Sequence, residues 1–452
     1  MQQARFRTLL VACCLMVLAV SAKTAAAKTI CVARFGFGGC STTIQAAVDK
    51  AAPYDVILVA PGIYKEEVTV GKPLSILGAG ADVSIIDATN LAHGVFIDGF
   101  DNSGLHHVTL AGLTVKKAQF EGILVVSAFD VTIRDSNILD NDQSSGLEFT
   151  GATEGCPNQP GNGIYENDET GDCGGAIHFI GVWGSVVSGN LISGNADGLL
   201  ISDETGESHD NVVENNNVTN NPLECGIVLA SHPPTGHTTA PFAPHFGVNR
   251  NLVTGNISNA NGVQVGGSGV GLFSDGNGPG TVSGNLVIRN KLTNNGLGGV
   301  ALHSHVGPAF GLPADTFDGN KIIGNYISGN HADTDDTATP GTVGININSG
   351  SGGSPVRGTV ISGNVILDED VDVAVNTPAF VEVNLNDLDG GKTGVADVCA
   401  YDNASICGGS IGAGNNFWGC AAGPGKDRCS TVSGTDIDFV PWLVKPIPGQ
   451  FF

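Results

Sequence analysis

Apolar residues in this chain come in short bursts, each opened by a small residue and closed by polar turn residues. Gly122-Ile-Leu-Val-Val, Gly146-Leu-Glu-Phe-Thr, Ala176-Ile-His-Phe-Ile and Gly198-Leu-Leu-Ile-Ser align on one template. Gly226-Ile-Val-Leu-Ala, Gly269-Val-Gly-Leu-Phe, Gly299-Val-Ala-Leu-His and Gly344-Ile-Asn-Ile-Asn continue it. The second and fourth places are apolar, and alternation along a strand points both into a core. A second phrase returns between the bursts: Val-Ser-Gly-Asn-Leu-Ile-Ser-Gly-Asn at 187–195, Val-Ser-Gly-Asn-Leu-Val-Ile-Arg-Asn at 282–290 and Ile-Ser-Gly-Asn-Val-Ile at 361–366. Bursts recurring at intervals of roughly 22 to 45 residues predict a solenoid, whose coils bury their apolar faces only against their neighbours. Asn at the turns tolerates left-handed backbone and bonds to nearby backbone, and stacked over successive coils its amides form a ladder.

The ends depart from this rhythm. Ile44, Val48 and Ala51–Ala52 follow helical spacing behind Thr42 or Thr43 as N-cap, which predicts a short helix closing the first coil. Asp55-Val-Ile-Leu-Val-Ala, Val68-Thr-Val, Leu74-Ser-Ile-Leu and Ser84-Ile-Ile read as the first strands. Asn415-Asn-Phe-Trp-Gly-Cys420, Cys429 and Phe439-Val-Pro-Trp442 read as an aromatic, disulfide-clipped end cap, with Trp418 and Trp442 as its large side chains or, alternatively, as a platform for sugars. The expected division is 1–27 leader, 28–93 cap and first coils, 94–395 coils, and 396–452 C-terminal cap. The stretches Gly155–Gly175, Pro233–Phe246 and His331–Gly341 are expected to be loops projecting from the stack.

Composition adds a compartment. Arg5 and Arg7 precede an apolar run from Leu9 to Val20, and Ala25-Ala-Ala27 offers a cleavage site, so residues 1–27 read as an export signal. That run is too short and wrongly flanked for a stable spanning helix, and no transmembrane segment is expected in the mature chain. Secreted, cell-surface and periplasmic locations all fit. In an oxidising compartment the near pairs Cys31/Cys40, Cys156/Cys173, Cys399/Cys407 and Cys420/Cys429 are expected disulfides, with Cys225 left as a buried thiol. The net charge is −24, and the leader carries Arg5, Arg7 and Lys23 without an acid, so the remainder is more acidic still. Such a field repels nucleic acid and anionic membranes, and polyanionic sugars too unless a cation such as Ca²⁺ bridges them.

The run Thr43-Ile-Gln-Ala-Ala-Val-Asp … Asp55-Val-Ile-Leu-Val-Ala-Pro-Gly-Ile-Tyr-Lys-Glu66, with the Asn-rich coils and the Asn-Phe-Trp-Gly-Cys ending, resembles the pectin-lyase-like right-handed parallel β-helix superfamily. The resemblance covers everything after the leader and implies an all-β, single-stranded right-handed parallel β-helix with a capping helix and an irregular C-terminal cap. It implies a polysaccharide or cell-surface glycan as partner, acted on by a lyase, hydrolase or epimerase. A non-catalytic adhesion, binding or structural protein is the alternative, and an accessory protein of metal assembly a third. Gly62-Ile-Tyr64-Lys-Glu66 is similar to one signature of pectin methylesterases, but the rest of that pattern is missing. The motifs of polygalacturonases, pectate lyases and mannuronan epimerases are absent too, so no catalytic residue carries over. Tyr64 and Glu66 read as a turn and first-coil packing.

The template itself shows where polar groups converge. At its seventh place stand Glu204, His232, Asp275 and His305 on successive coils. His303 and Asn348 share the fifth place, and Glu148 and His178 the third. Coils stack about 4.8 Å apart, so the seventh-place residues line a column able to supply a general acid and base, or to hold Ca²⁺ or a transition metal. His303, His305 and Asp275 are the leading trio, with Glu204 and His232 next. The same places also suit an ordinary solvated face. Asp315, Asp318 and the Asp333–Asp336 run could add a cation site, but read first as a solvated loop.

Overall fold

The structure, a computed structural model, describes residues 27–141, 175–231, 246–274, 279–305, 307–335, 338–389, 391–398 and 408–447. The leader therefore lies outside the described residues, except for Ala27. The strands form three long sheets of 14, 12 and 11 strands and a small one of three. One coil shows the plan. Leu199–Ser202 lies in the 12-stranded sheet, Val212–Glu214 in the 14-stranded sheet and Asn217–Thr219 in the 11-stranded sheet. Each strand then pairs in parallel with its counterpart one coil on: Leu199 with Ile227, Val212 with Leu252, Asn217 with Ile257. This is a right-handed parallel β-helix, as the repeats predict.

The second and fourth places of the Gly-led strands do point inward. Ile123, Ile177, Leu199, Ile227, Val270 and Val300 form one buried row, and Val125, Phe179, Ile201, Leu229, Leu272 and Leu302 another, in a single core running the length of the stack. The leading glycine is dictated by lack of space: a Cβ on Gly198 would lie 2.0 Å from the Gly226 carbonyl oxygen and 2.6 Å from Val218. Ile123–Val126 pairs directly with Ile177–Ile180, and the expected Gly146 strand falls outside the described residues. Residues 142–174, with Glu148, Cys156 and Cys173, lie outside the described residues.

The repeated Asn builds three ladders. One runs Asn190, Asn216, Asn256, Asn290, Asn325, Asn364, Asn386, Asn416. At each step the Oδ1 of one Asn accepts from both the main-chain N–H and the side-chain amide of the Asn one coil earlier, as Asn256 does from Asn216 at 2.9 and 3.0 Å. The left-handed residue is the one before the ladder Asn: Gly189, Asn215, Gly255 and Arg289 all have positive φ. This explains the Ser-Gly-Asn phrase, with strand, reversal and ladder amide in successive residues.

Both caps form. The helix Ile44–Lys50 buries Ile44, Ala47 and Val48 on the first coil, and Thr43 Oγ accepts from the Ala46 N–H. Glu66 takes the two N–H groups of Ile44 and Gln45, both at 2.8 Å, and Tyr64 donates its hydroxyl to Ala60. Glu66 thus caps the helix, while Tyr64 ties the turn at Ala60, in line with its reading as a turn residue. Glu66→Ala removes a charged acceptor from two orphan helix donors and should lower stability by about 2 kcal/mol, measured by urea denaturation. An unchanged midpoint would show that the cap contributes nothing. At the other end Trp418 is fully buried in the core, with Phe439 edge-on at 6.5 Å, while Trp442 stays partly exposed. Trp418 is therefore capping and not a sugar platform. Cys31–Cys40 and Cys420–Cys429 are bonded, Cys225 is a buried free thiol, and Cys399 and Cys407 lie outside the described residues. Among the described residues no helix is long and apolar enough to cross a membrane.

Candidate functional site

The outward face of the Gly-led sheet is not the solvated surface that its polar places suggest. Phe96, Leu124, Val126 and Ile180 form one buried outer cluster, and Leu200, Cys225, Val228 and Ala230 another. His303, at the end of the strand Val300–His303, is 0% exposed. It is flanked in register by Phe273 and Asn348.

Two carboxylates reach His303 from the 331–341 insertion. Its Nε2 lies 3.0 Å from Asp333 Oδ2 and its Nδ1 3.1 Å from Asp335 Oδ2. Asn346 donates to the same Asp333 oxygen at 3.1 Å. Burial disfavours a charged imidazole, but the Asp333 charge and the bonds to both carboxylates outweigh it and raise the His303 pKa to about 10. Burial likewise pushes the Asp335 carboxyl up, yet His303 and His305 hold it well below the usual carboxylate range. His305 Nε2 stands 3.8 Å from Asp335 Oδ2, and the His305 ring stacks on Phe273 at 6.1 Å and 12°. One nitrogen of His303, one of His305 and one oxygen of Asp335 lie within 4.8 Å of one another, the set able to hold a metal.

Below His305 the chain is clamped by Asp315. Its carboxylate accepts from Ser274 at 2.6 Å, Ser304 at 2.5 Å and the Gly280 N–H at 2.7 Å, and Ser274 in turn accepts from the His305 N–H. Asp315 thus anchors the turn, and Asp318 is exposed. A cleft of about 430 Å³ opens beside the cluster, lined by Glu224, Val265, Phe273, His305, Thr334 and Asp335. Cys225 also borders it, but its sulfur accepts from the Ser268 N–H, and burial raises its pKa well above the ordinary thiol value.

Of the leading trio, His303 and His305 are brought together, with ring centroids 6.3 Å apart. Asp275 and His232 lie outside the described residues. Glu204 is buried two residues beyond its strand, so the expected column is seen only at its ends, Glu204 and His305. In the Asp333–Asp336 run the solvated reading is corrected for Asp333 alone, which is fully buried and joins a histidine 30 residues away through a contact that no local pattern announces. Thr334 and Asp335 are exposed, and Asp336 lies outside the described residues. Also unforeseen is a buried triad at the first coils. Glu121 lies 2.5 Å from His93 and 3.9 Å from His178, which bonds Ser202 at 2.8 Å. Burial raises the Glu121 pKa, but the two imidazoles reverse this and hold it well below its ordinary value.

A second cleft, of about 560 Å³, is lined by Phe100, Ser127, Trp183, Thr205, Glu207 and His209. Here His106, Phe129, Trp183 and His209 stack at 5.0, 4.8 and 6.1 Å, within 14° of parallel. The faces of Phe129 and Trp183 are covered by their neighbours, so the row stiffens the corner and leaves only ring edges to a ligand.

A family model described as a right handed beta helix region matches residues 93–240. No curated protein sequence matches the chain. Solved structures resemble it: an alginate lyase from Paenibacillus sp. str. FPU-7 is 14% identical over 75% of this chain and 95% of its own, with a TM-score of 0.48. The A-module of a mannuronan C-5 epimerase from Azotobacter vinelandii is 15% identical over 89% and 94%, TM-score 0.48. The catalytic unit of an α-1,3-glucanase from Streptomyces thermodiastaticus is 16% identical over 88% and 66%, TM-score 0.46. These figures assign no chemistry to this chain. The sheet pairing makes the chain a right-handed parallel β-helix, and residues 93–240 match the family model of that description.

Proposed function

We propose that this chain is an exported protein directed at extracellular or envelope polysaccharide, with its reactive centre at the His305–Asp335 pair. The observation that carries this reading is the pair's setting. His305 and Asp335 face an open polar cleft with 19% and 46% of their side chains exposed, while the buried His303 fixes Asp335 from behind. An imidazole beside a carboxylate can move the protons such chemistry needs: from a sugar carbon with release of the glycosidic oxygen in a lyase, from water with protonation of that oxygen in a hydrolase, or off and back onto one carbon in an epimerase. A stack of parallel coils gives a linear polymer a lengthwise surface, and the disulfides suit an oxidising compartment.

A second reading, binding without turnover, is favoured by His303. Both its nitrogens are committed and none of its surface is exposed, so it cannot touch a substrate. Of the five predicted catalytic residues, that leaves one seen at the cleft. The test is a screen for new reducing ends and unsaturated products on neutral and acidic polysaccharides, with and without Ca²⁺, comparing wild type with His305→Ala. Turnover by wild type that falls at least about 100-fold in the variant is the expected result. Given the −24 charge, neutral glycans should outperform pectate or alginate unless Ca²⁺ is added. Binding with no product on any glycan would instead establish the second reading, and neither binding nor turnover would remove both.

A further inference from the structure

We propose that His303, His305 and Asp335 form a site for one divalent transition-metal ion of the zinc class, open on its cleft side. Tetrahedral coordination with bonds of about 2.0–2.2 Å places ligand atoms about 3.3–3.5 Å apart. The Asp335 oxygen already lies 3.1 Å from His303 Nδ1 and 3.8 Å from His305 Nε2, bracketing that separation. All three ligand atoms lie within 4.8 Å of one another, so closing on an ion requires the two rings to approach and His303 Nδ1 to exchange its hydrogen bond to Asp335 for the metal.

The surroundings are built in the same sense. Metal-binding imidazoles commonly give their second N–H to a carboxylate, which fixes the tautomer and the ring plane. His303 does this with Asp333, and Asn346 holds Asp333 in turn. The His305 ring is held against Phe273, and its main-chain N–H donates to the Ser274 hydroxyl. The coordinating atoms come from a strand end and an anchored turn on one side and from the insertion on the other, so an ion would tie the insertion to the sheet face. Two nitrogens in a set of three favour a transition metal over Ca²⁺, which takes oxygen ligands. Three protein ligands with a fourth position facing the cleft suit an exchangeable ligand such as water or a sugar hydroxyl. The site uses the same His305 and Asp335 as the proposed glycan chemistry, where a bound ion would take the place of direct proton transfer by the imidazole, and it is tested with metal alone.

Tag-free, metal-stripped protein would be titrated with Co²⁺, following the visible absorption of the bound ion, and then with Zn²⁺ as competitor. One equivalent of Co²⁺ should bind, Zn²⁺ should displace it, and Ca²⁺ at the same concentration should not. His305→Ala and Asp335→Asn alter partly exposed side chains and should keep the wild-type circular dichroism spectrum while weakening Co²⁺ binding about 100-fold or more. Absence of a saturable equivalent, displacement by Ca²⁺, or unchanged affinity in both folded variants would overturn the site. Failure here leaves the glycan proposal standing on its product screen, and failure of that screen leaves the metal titration intact.

Discussion

Replacing Asn256 by Ala should lower stability by about 4 kcal/mol, a large effect for one amide, because a buried ladder has no water to repair it. Asn256 Oδ1 accepts from the N–H and the side-chain amide of Asn216. Its own amide donates to the Val213 carbonyl at 2.8 Å and to Asn290 Oδ1 at 3.0 Å. The substitution strands two donors of Asn216 in a site with no exposed surface and removes a donor from Val213. Each buried orphan costs about 1–3 kcal/mol, to which the lost side-chain volume adds. Asn256→Asp keeps the acceptor, loses both donors and buries a charge, so it should be no better. Urea midpoints of the two variants, with hydrogen exchange at the amide of residue 216, check this. A midpoint within measurement error of wild type would mean that the ladder is ornamental.

Glu369→Gln should do the opposite, stabilising the protein by on the order of 3 kcal/mol at pH 8 and by little at pH 4.5. Glu369 ends a second ladder, Asn141, Asn195, Asn221, Asn261, Asn295, Asn330, where the rule calls for an amide. Asn330 gives its N–H and its side-chain amide to Glu369 Oε1 at 2.9 and 3.1 Å. Burial outweighs those bonds and raises the carboxyl from 4.5 to about 7. Close by, Asp372 stands where neighbouring coils have the leading Gly344 and Gly394. Among the described residues neither of its oxygens has a hydrogen-bond partner, and burial together with the Glu369 charge raises its pKa well above the carboxylate value.

The sign follows from proton binding. A carboxyl whose folded pKa exceeds its unfolded one binds protons more tightly when folded, so its contribution is complete below about pH 4.5 and lost as pH rises through 7. At 1.36 kcal/mol per unit, the span gives the order of magnitude quoted. Gln keeps the acceptor oxygen without the charge and also relieves Asp372. Thermal melts of both proteins at pH 4.5 and pH 8 should therefore diverge only at the higher pH. Curves that differ equally at both values would remove the Glu369 ionisation from the account.

Much of this molecule was readable because a solenoid repeats its constraints. A typical coil needs an inward pair at places two and four, a small or Cβ-free start beside the following coil, a left-handed reversal and an amide after it. Gly198-Leu-Leu-Ile and Ser193-Gly-Asn195 state these needs locally, and repetition separates them from chance. The caps were legible for a related reason, since an end without a neighbour must close with atypical residues such as Thr43 and Trp418. The candidate site was half legible. His303 and His305 lie on the template and were found there, whereas Asp333 and Asp335 lie in an insertion off it, and their partner is 30 to 32 residues away.

By itself, then, the sequence determined the coil, its inward rows, its asparagine ladders and its capped ends, because period-two burial and stacked amides are written into consecutive residues. Only the tertiary structure decided three further matters. Ile123 pairs directly with Ile177 across a long insertion, the outer face around His303 is sealed rather than solvated, and two aspartates close on that histidine. The last depends on where a non-repeating segment, residues 331–335, meets the sheet. The path of such a segment follows from the shape and charge of the surface it covers, which no spacing along the chain encodes.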